Sequence, residues 1–182
     1  MSKNFLCFVC NCHPNLADAI NSLTSAENSL LEASKKGDLE EVQRLISRNV
    51  NVNCENRYGS TPLIMSSISG KLEVAEILIE NGADVNHSQY QDWTALHGAC
   101  FFGHIHLVCL LIMRGANTKV VNNEGKRPGE QFDQSVGYAA ALEIQNILNK
   151  GLAALPEYRE LLQQDETKSN DIDISLSASS KV

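Results

Sequence analysis

Residues 59–86, GSTPLIMSSISGKLEVAEILIENGADVN, form a unit whose landmark residues recur along the chain. The interval between each landmark and its counterpart is 33 positions. The recurring residues are Thr61 and Thr94; Gly37, Gly70 and Gly103; Gly82 and Gly115; and Asn53 and Asn86. Self-similarity at a period of about 20–50 residues indicates a stacked array of like units. The period therefore predicts a repeat architecture rather than one globular core.

The quoted unit predicts two helices joined by a tight turn. Thr61 is a good N-cap, and Pro62 suits the first helical turn. Gly70 breaks the first helix, and Gly82 ends the second. The second helix carries an apolar face at helical spacing, formed by Leu72, Ala75, Leu78 and Ile79.

The neighbouring units lose their regularity towards both ends. Ser29-x-x-Glu32 reads as a capping box that opens a first helix through Lys36. The third pair starts at Thr94. In the fourth pair, 127–129 reads Arg-Pro-Gly where 61–63 reads Thr-Pro-Leu. The core positions of its second helix are expected at Tyr138, Ala141 and Ile144. We therefore expect about four helix pairs, with degenerate pairs at the ends.

Composition narrows the class of function. The 182 residues carry a net charge of −7, which argues against nucleic-acid binding because phosphate recognition requires clustered basic side chains. No apolar run reaches the roughly 18–20 residues that span a bilayer. The six cysteines are Cys7, Cys10, Cys12, Cys54, Cys100 and Cys109. Their spacing is not that of a disulfide scaffold, which favours a reducing compartment. We expect a cytoplasmic or nuclear protein.

The motifs resemble those of the ankyrin-repeat family. They are Thr61-Pro62-Leu63, Thr94-Ala95-Leu96-His97, the Gly-Ala-Asp-Val-Asn of 82–86 and the Gly-Ala-Asn of 115–117. The resemblance implies an all-α solenoid with short β-hairpin turns, built from L-shaped units. It also implies protein–protein recognition through the hairpin tips and the first helices. Ile64 stands where the family usually has His, so the hydrogen bonds expected of His97 would be missing there.

The chain divides into five segments by composition and pattern. Residues 1–14 are a cysteine-containing arm, and 15–27 a helix that caps the first repeat. Residues 28–150 are the ankyrin-repeat domain. Residues 151–164 are expected to form a C-terminal capping helix. The acidic, serine-rich tail of 165–182 is expected to be disordered, because it cannot bury enough apolar surface.

The family pattern also locates a candidate binding surface. It places hairpin tips at Arg57-Tyr58 and Tyr90-Gln91, and it places Trp93 and Lys126 just before two helix starts. The groove is expected to present Ile68, Phe101 and Phe102. Aromatic anchors within a polar rim are typical of protein-binding hot spots, so we predict a patch centred on Trp93. The alternative is that Phe101 or Phe102 packs between repeats.

Weaker signals lie outside the groove. The sequence before Asn86 resembles the asparagine-hydroxylation pattern of ankyrin hairpins, although a structural role in the turn is favoured. Cys7, Cys10 and Cys12 lie beside apolar residues, as S-acylated cysteines do, whereas their spacing with His13 is too tight for the usual zinc arrangement. The terminal Ser180-Lys181-Val182 resembles a PDZ ligand, which adds to a sheet edge.

Catalytic motifs are missing from the sequence, which has no G-x-S-x-G, G-x-x-x-x-G-K or H-E-x-x-H. We therefore expect a non-catalytic, monomeric adaptor that binds another protein, with no cofactor and no metal. Two alternatives remain: a scaffold tethered to a membrane through acylated N-terminal cysteines, and a stoichiometric inhibitor of an enzyme.

Overall fold

A computed structural model describes residues 24–150, and within this range the chain forms seven helices. They are α1 (Ser25–Lys36), α2 (Leu39–Ile46), α3 (Pro62–Ile68), α4 (Leu72–Glu80), α5 (Ala95–Phe101), α6 (Ile105–Met113) and α7 (Tyr138–Lys150). The first six form three antiparallel pairs. The only β pairing among the described residues is an isolated antiparallel bridge between Ser88 and Thr94. None of the helices in this range combines the length and apolarity needed to cross a membrane.

The pairs stack in register, which gives the array two layers. The first helices α1, α3 and α5 pack side by side, and the second helices α2, α4, α6 and α7 form the other layer. A continuous core lies between the layers. Its fully buried large side chains include Leu30, Leu45, Leu63, Leu78, Leu96, Leu111 and Ile144. The repeat array expected from the 33-residue period is confirmed, and so is the all-α solenoid that the resemblance to ankyrin repeats implies.

Local chemistry explains where the helices start and turn. The side chains of Thr61 and Thr94 accept hydrogen bonds from the backbone N–H groups three residues on, at Ile64 and His97. The turn between the helices of each pair requires a left-handed residue, and Gly70 supplies it with φ 71°. The threonines and glycines that set the sequence period are therefore the residues that begin and reverse the helices.

The first helix begins earlier than the sequence predicts. Thr24 caps α1 and forms a capping box with Glu27, five residues before the predicted box at Ser29 and Glu32. The prediction was wrong because Ser29 lies inside the helix, where its hydroxyl donates to the carbonyl of Ser25 at 3.0 Å. The last residues of the segment predicted as a separate capping helix, 15–27, consequently belong to α1.

The fourth unit retains only its second helix. Residues 127–137 contain no helix, and Gly129 adopts φ 80°. Without a Thr-Pro-Leu start, the segment lacks an N-cap and a first core residue. The core position expected at Tyr138 is also wrong, since this side chain is 83% exposed. The buried stripe of α7 instead runs through Ile144 and Ile147.

A ladder of asparagines joins successive repeats. Asn53 donates to the carbonyl of Gly82 at 3.0 Å and accepts from the N–H of Asp84 at 2.8 Å. Asn86 repeats both bonds one unit later, with Gly115 at 3.2 Å and Asn117 at 2.8 Å. The ladder does not continue into the following unit, because the position equivalent to Asn86 is occupied there by Lys119. Each asparagine therefore fixes the position of the following hairpin.

Candidate protein-binding surface

Three loop tips project from the stack with the same backbone arrangement. Each is closed by one bond, from Asn56 N to Ser60 O, from Gln89 N to Trp93 O, and from Asn122 N to Lys126 O. Neighbouring tips are also bonded to each other. The N–H of Tyr90 donates to Tyr58 at 3.1 Å, and the N–H of Asn123 donates to Gln91 at 3.1 Å. The tips therefore form one continuous row, which we call the tip row (56–60, 89–93 and 122–126).

The middle tip departs from its two neighbours. In the outer tips, the side chains of Asn56 and Asn122 each accept two backbone N–H bonds from their own tip. In the middle tip, Gln89 takes this position, and its side chain instead accepts from the buried hydroxyl of Ser60. The left-handed residue is also changed, because Asp92 with φ 58° stands where the outer tips have glycine. The tip that carries Tyr90 is thus held by the preceding repeat.

Exposed aromatic and cationic side chains meet between the first two tips. Tyr90 is 57% exposed. Its ring lies against the backbone of Gly59, where an added Cβ would come within 3.1 Å of Cδ1. The guanidinium of Arg57 lies over the Tyr58 ring, 4.7 Å from its centroid. The structure therefore brings together three of the predicted binding residues, Arg57, Tyr58 and Tyr90.

Trp93 and Phe101 lie beneath the surface. Each is only 8% exposed, and their rings make an edge-to-face contact with centroids 5.3 Å apart. The Trp93 ring also lies 6.0 Å from the His97 ring. The prediction of a patch centred on an accessible Trp93 is corrected accordingly: because these two side chains are buried, they support the tip and the groove from below.

The groove floor is formed by side chains from neighbouring first helices. Ile68 of α3 lies over Gly98 of α5, where an added Cβ would meet Cγ1 of Ile68 at 2.7 Å. Phe102, half-buried, contacts Phe101 edge-to-face at 5.0 Å and stacks with His104 at 6.2 Å. His104 stacks on Phe102 and bonds the carbonyl of Ile68, which links the two helix ends; we call the side chains of Ile68 and Phe102 the apolar floor. Sequence reasoning missed Gly98, although a glycine inside a helical pattern is a signal for a close approach.

His97 ties the third helix pair to the last tip. Its Nδ1 accepts from the N–H of Thr94 at 3.2 Å, so its Nε2 carries the proton and donates to the carbonyl of Lys126 at 3.2 Å. Burial lowers the pKa of His97. The ring is therefore neutral and works as a structural bridge. The side chain of Lys126 is exposed on the tip beyond it.

A small cleft opens where the fourth unit lacks its first helix. It is lined by Trp93, His97, Phe101, Lys126, Pro128 and Gln131, among others. Gln91, predicted to bind, is half-buried in the tip row, on the same side of the stack. The cleft is thus continuous with the aromatic cluster under the middle tip.

Two thiols of the described region are held in the protonated form by burial. Burial raises the pKa of Cys54 to about 12 and raises the pKa of Cys100 still further, so both thiols are protonated at neutral pH and unreactive. Between residues 24 and 150, no group of three His, Cys, Asp or Glu side chains is placed to hold a metal ion. His104 instead bonds the carbonyl of Ile68 at 3.2 Å.

Of the predicted modification and tail sites, only Asn86 lies among the described residues. Both ends of the Asn86 amide are engaged in the asparagine ladder. Cys7, Cys10 and Cys12 lie outside the described residues, as do the capping helix of 151–164, the tail of 165–182 and its terminal Ser180-Lys181-Val182. Those assignments stay predictions.

The geometry agrees with what comparison with known proteins finds. The family model described as "Ankyrin repeats (3 copies)" matches residues 5–122. The match ends before α7, which lies in the reduced fourth unit. No curated protein matches the chain.

Proposed function

Because the chain belongs to the ankyrin-repeat family, we propose that it is a non-catalytic adaptor that binds a partner protein through its groove and tip row. Ankyrin repeats are generally protein–protein interaction modules, and the family is typically non-catalytic. The proposal that the partner binds at the groove and tip row rests on the side chains that are exposed there.

The observation that carries the proposal is the exposed Tyr90 on a preformed tip. The N–H of Tyr90 donates to the carbonyl of Tyr58 in the preceding tip, and the tip that carries Tyr90 is closed by the bond from Gln89 N to Trp93 O. A tyrosine has few rotatable bonds, and a tip already ordered by hydrogen bonds loses little entropy when a partner binds. Tyr90 therefore has the features of a binding anchor: a large area, a polar end and a fixed position.

The apolar floor supplies the second half of the surface. Ile68 and Phe102 are both half-buried, so each keeps area that a partner can cover. Arg57 and Lys126 lie at the first and last tips and provide a charged rim. An apolar centre with a polar rim is the usual anatomy of a protein interface.

A reducing compartment, in the cytoplasm or the nucleus, is the location we propose. The support is that Cys54, Cys100 and Cys109 are buried in the core as thiols and form no disulfide. Buried free thiols serve as small apolar side chains in proteins from such compartments.

The test is a paired binding experiment on the full-length chain. Wild-type protein is used to enrich partners from a cytosolic extract, and each purified partner is titrated by calorimetry. The variant Tyr90→Ala/Phe102→Ala should weaken binding at least roughly 30-fold, the effect of losing one hot spot of about 2 kcal/mol. Neither substitution empties the core, so the thermal unfolding curve should remain cooperative.

The control carries two substitutions on the opposite side of the stack. Glu73→Ala/Glu80→Ala removes two exposed side chains of α4 and should leave the dissociation constant unchanged. Wild-type affinity in the folded Tyr90→Ala/Phe102→Ala variant would reject the proposed surface.

A further inference from the structure

The last described helix, α7, has one face packed and one face open. Ile144 and Ile147 are buried on the packed face, and α7 contacts α6. Tyr138 and Leu142, four residues apart and therefore on one face, are 83% and 43% exposed. Ala139 beside them is also exposed. The open face thus carries an apolar patch, defined by Tyr138, Ala139 and Leu142.

The helix at the opposite end of the same layer, α2, exposes a different kind of surface. Helix α2 exposes Glu40, Gln43 and Arg44, all polar. Terminal units of a repeat stack need a polar outer surface to stay soluble. The exposed face of α2 meets this requirement along its length, whereas on α7 only the C-terminal half does. The apolar patch of α7 therefore needs a cover.

The chain itself supplies a suitable cover directly after α7. Residues 151–164 read GLAALPEYRELLQQ. Leu155, Tyr158 and Leu162 recur at i, i+3 and i+7, which places them on one face of a helix. Pro156 suits the first turn of that helix. The segment therefore offers an apolar face with the polar residues on its other side.

The distances allow this segment to fold back. Leu142 lies eight residues before Lys150, or about 12 Å along the helix axis at 1.5 Å per residue. A helix over 155–164 would be about 15 Å long. Residues 151–154 remain for the reversal, and helix connections of about 2–8 residues are common. A single turn therefore brings the apolar face of the segment onto Leu142.

We propose that residues 155–162 dock as a helix on the apolar patch of α7 and close the C-terminal end of the stack. The docked segment replaces the packing that a further repeat would provide. The occupant is a part of this chain rather than a second copy, because the linkage holds it at high local concentration whatever the protein concentration.

The test is hydrogen exchange of full-length protein followed by mass spectrometry. Peptides covering 155–164 should exchange slowly in the wild type. In Tyr138→Ser/Leu142→Ser, the same peptides should exchange roughly tenfold faster or more, because the covered apolar area is lost. Peptides from α5 should be unaffected. The variant changes exposed side chains only, so it retains the folded stack.

A matched control separates this patch from a general effect of polarity. Val121, 48% exposed and outside α7, is replaced in Val121→Ser; the exchange of 155–164 should not change. Fast exchange of 155–164 in the wild type would overturn the proposal, and so would protection that the double variant leaves intact. Protection that rises with protein concentration, together with a dimer mass by light scattering, would also overturn it and assign the patch to a second copy.

Discussion

The second and third repeats, 57–86 and 90–119, share a backbone but differ in the side chains around their tips and first helices. The shared positions are Thr61 and Thr94, Gly70 and Gly103, and Gly82 and Gly115. The changed positions are Gly59 and Asp92, Ser60 and Trp93, Ile64 and His97, and Met65 and Gly98. The shared residues cap, reverse and join helices, so they maintain the stack.

The changed residues act together in the third repeat. Trp93 and Phe101 fill the space under the middle tip, and His97 bonds the next tip. Gly98 makes room for Ile68 in the groove. The difference between the repeats teaches that a buried aromatic cluster can hold an exposed anchor, here Tyr90, in a fixed position.

The largest expected effect comes from removing Trp93. In Trp93→Ala, the loss of a buried ring leaves a cavity beside Phe101, and the free energy of unfolding should fall by about 3–5 kcal/mol. In the second repeat the equivalent residue is Ser60, whose hydroxyl donates one hydrogen bond to Gln89. Ser60→Ala should therefore lower the free energy of unfolding by only about 1 kcal/mol. Urea denaturation measures both. Equal losses would mean that the two repeats are held in the same way.

A smaller effect, on the pH dependence of stability, is expected at His97, whose counterpart in the second repeat is Ile64. Burial lowers the pKa of His97 from 6.5, so the unfolded chain takes up the proton at a higher pH than the folded chain does. Its contribution to stability is therefore complete above pH 6.5. It declines as the pH falls through 6.5, until the lower folded-state pKa is reached.

The variant His97→Ile, which copies the second repeat, should remove that part of the pH dependence. Unfolding free energies at pH 8, 7, 6 and 5, compared between wild type and variant, measure the difference. A difference that does not change across this range would show that the His97 proton is not linked to folding.

The smallest expected effect concerns the middle tip. Asp92 holds φ 58°, a conformation in which a side chain is disfavoured and glycine is not. Asp92→Gly makes the tip like its neighbours and should stabilise the protein by about 0.5 kcal/mol. Thermal unfolding measures this gain. A loss of stability would indicate that the Asp92 side chain supports the tip.

The sequence predicted the fold well because the repeat chemistry is local. Thr61 and Thr94 cap helices through bonds to residues three positions away, and the glycine turns depend on their own backbone angles. Asn49 also adopts the left-handed conformation after α2, with φ 58°, as asparagine does at some helix ends. Such features depend on a few neighbouring residues, which a single sequence displays.

Side-chain burial was harder to predict because it depends on the adjacent repeat. The burial of Trp93 results from Phe101, eight residues later, and from the loop that replaces the missing helix of the fourth unit. The exposure of Tyr138 results from the rotation of α7 that buries Ile144. Periodicity places a residue on a helix, but it does not say which neighbour will cover that residue.

Site-specific photocrosslinking of the full-length protein shows whether a partner binds at the middle tip. A photoreactive phenylalanine analogue is placed at Tyr90 in one full-length protein and at Glu73, on the outer helix α4, in another. We expect a covalent adduct with the partner from position 90 and none from position 73. An adduct from position 73 and none from position 90 would contradict it.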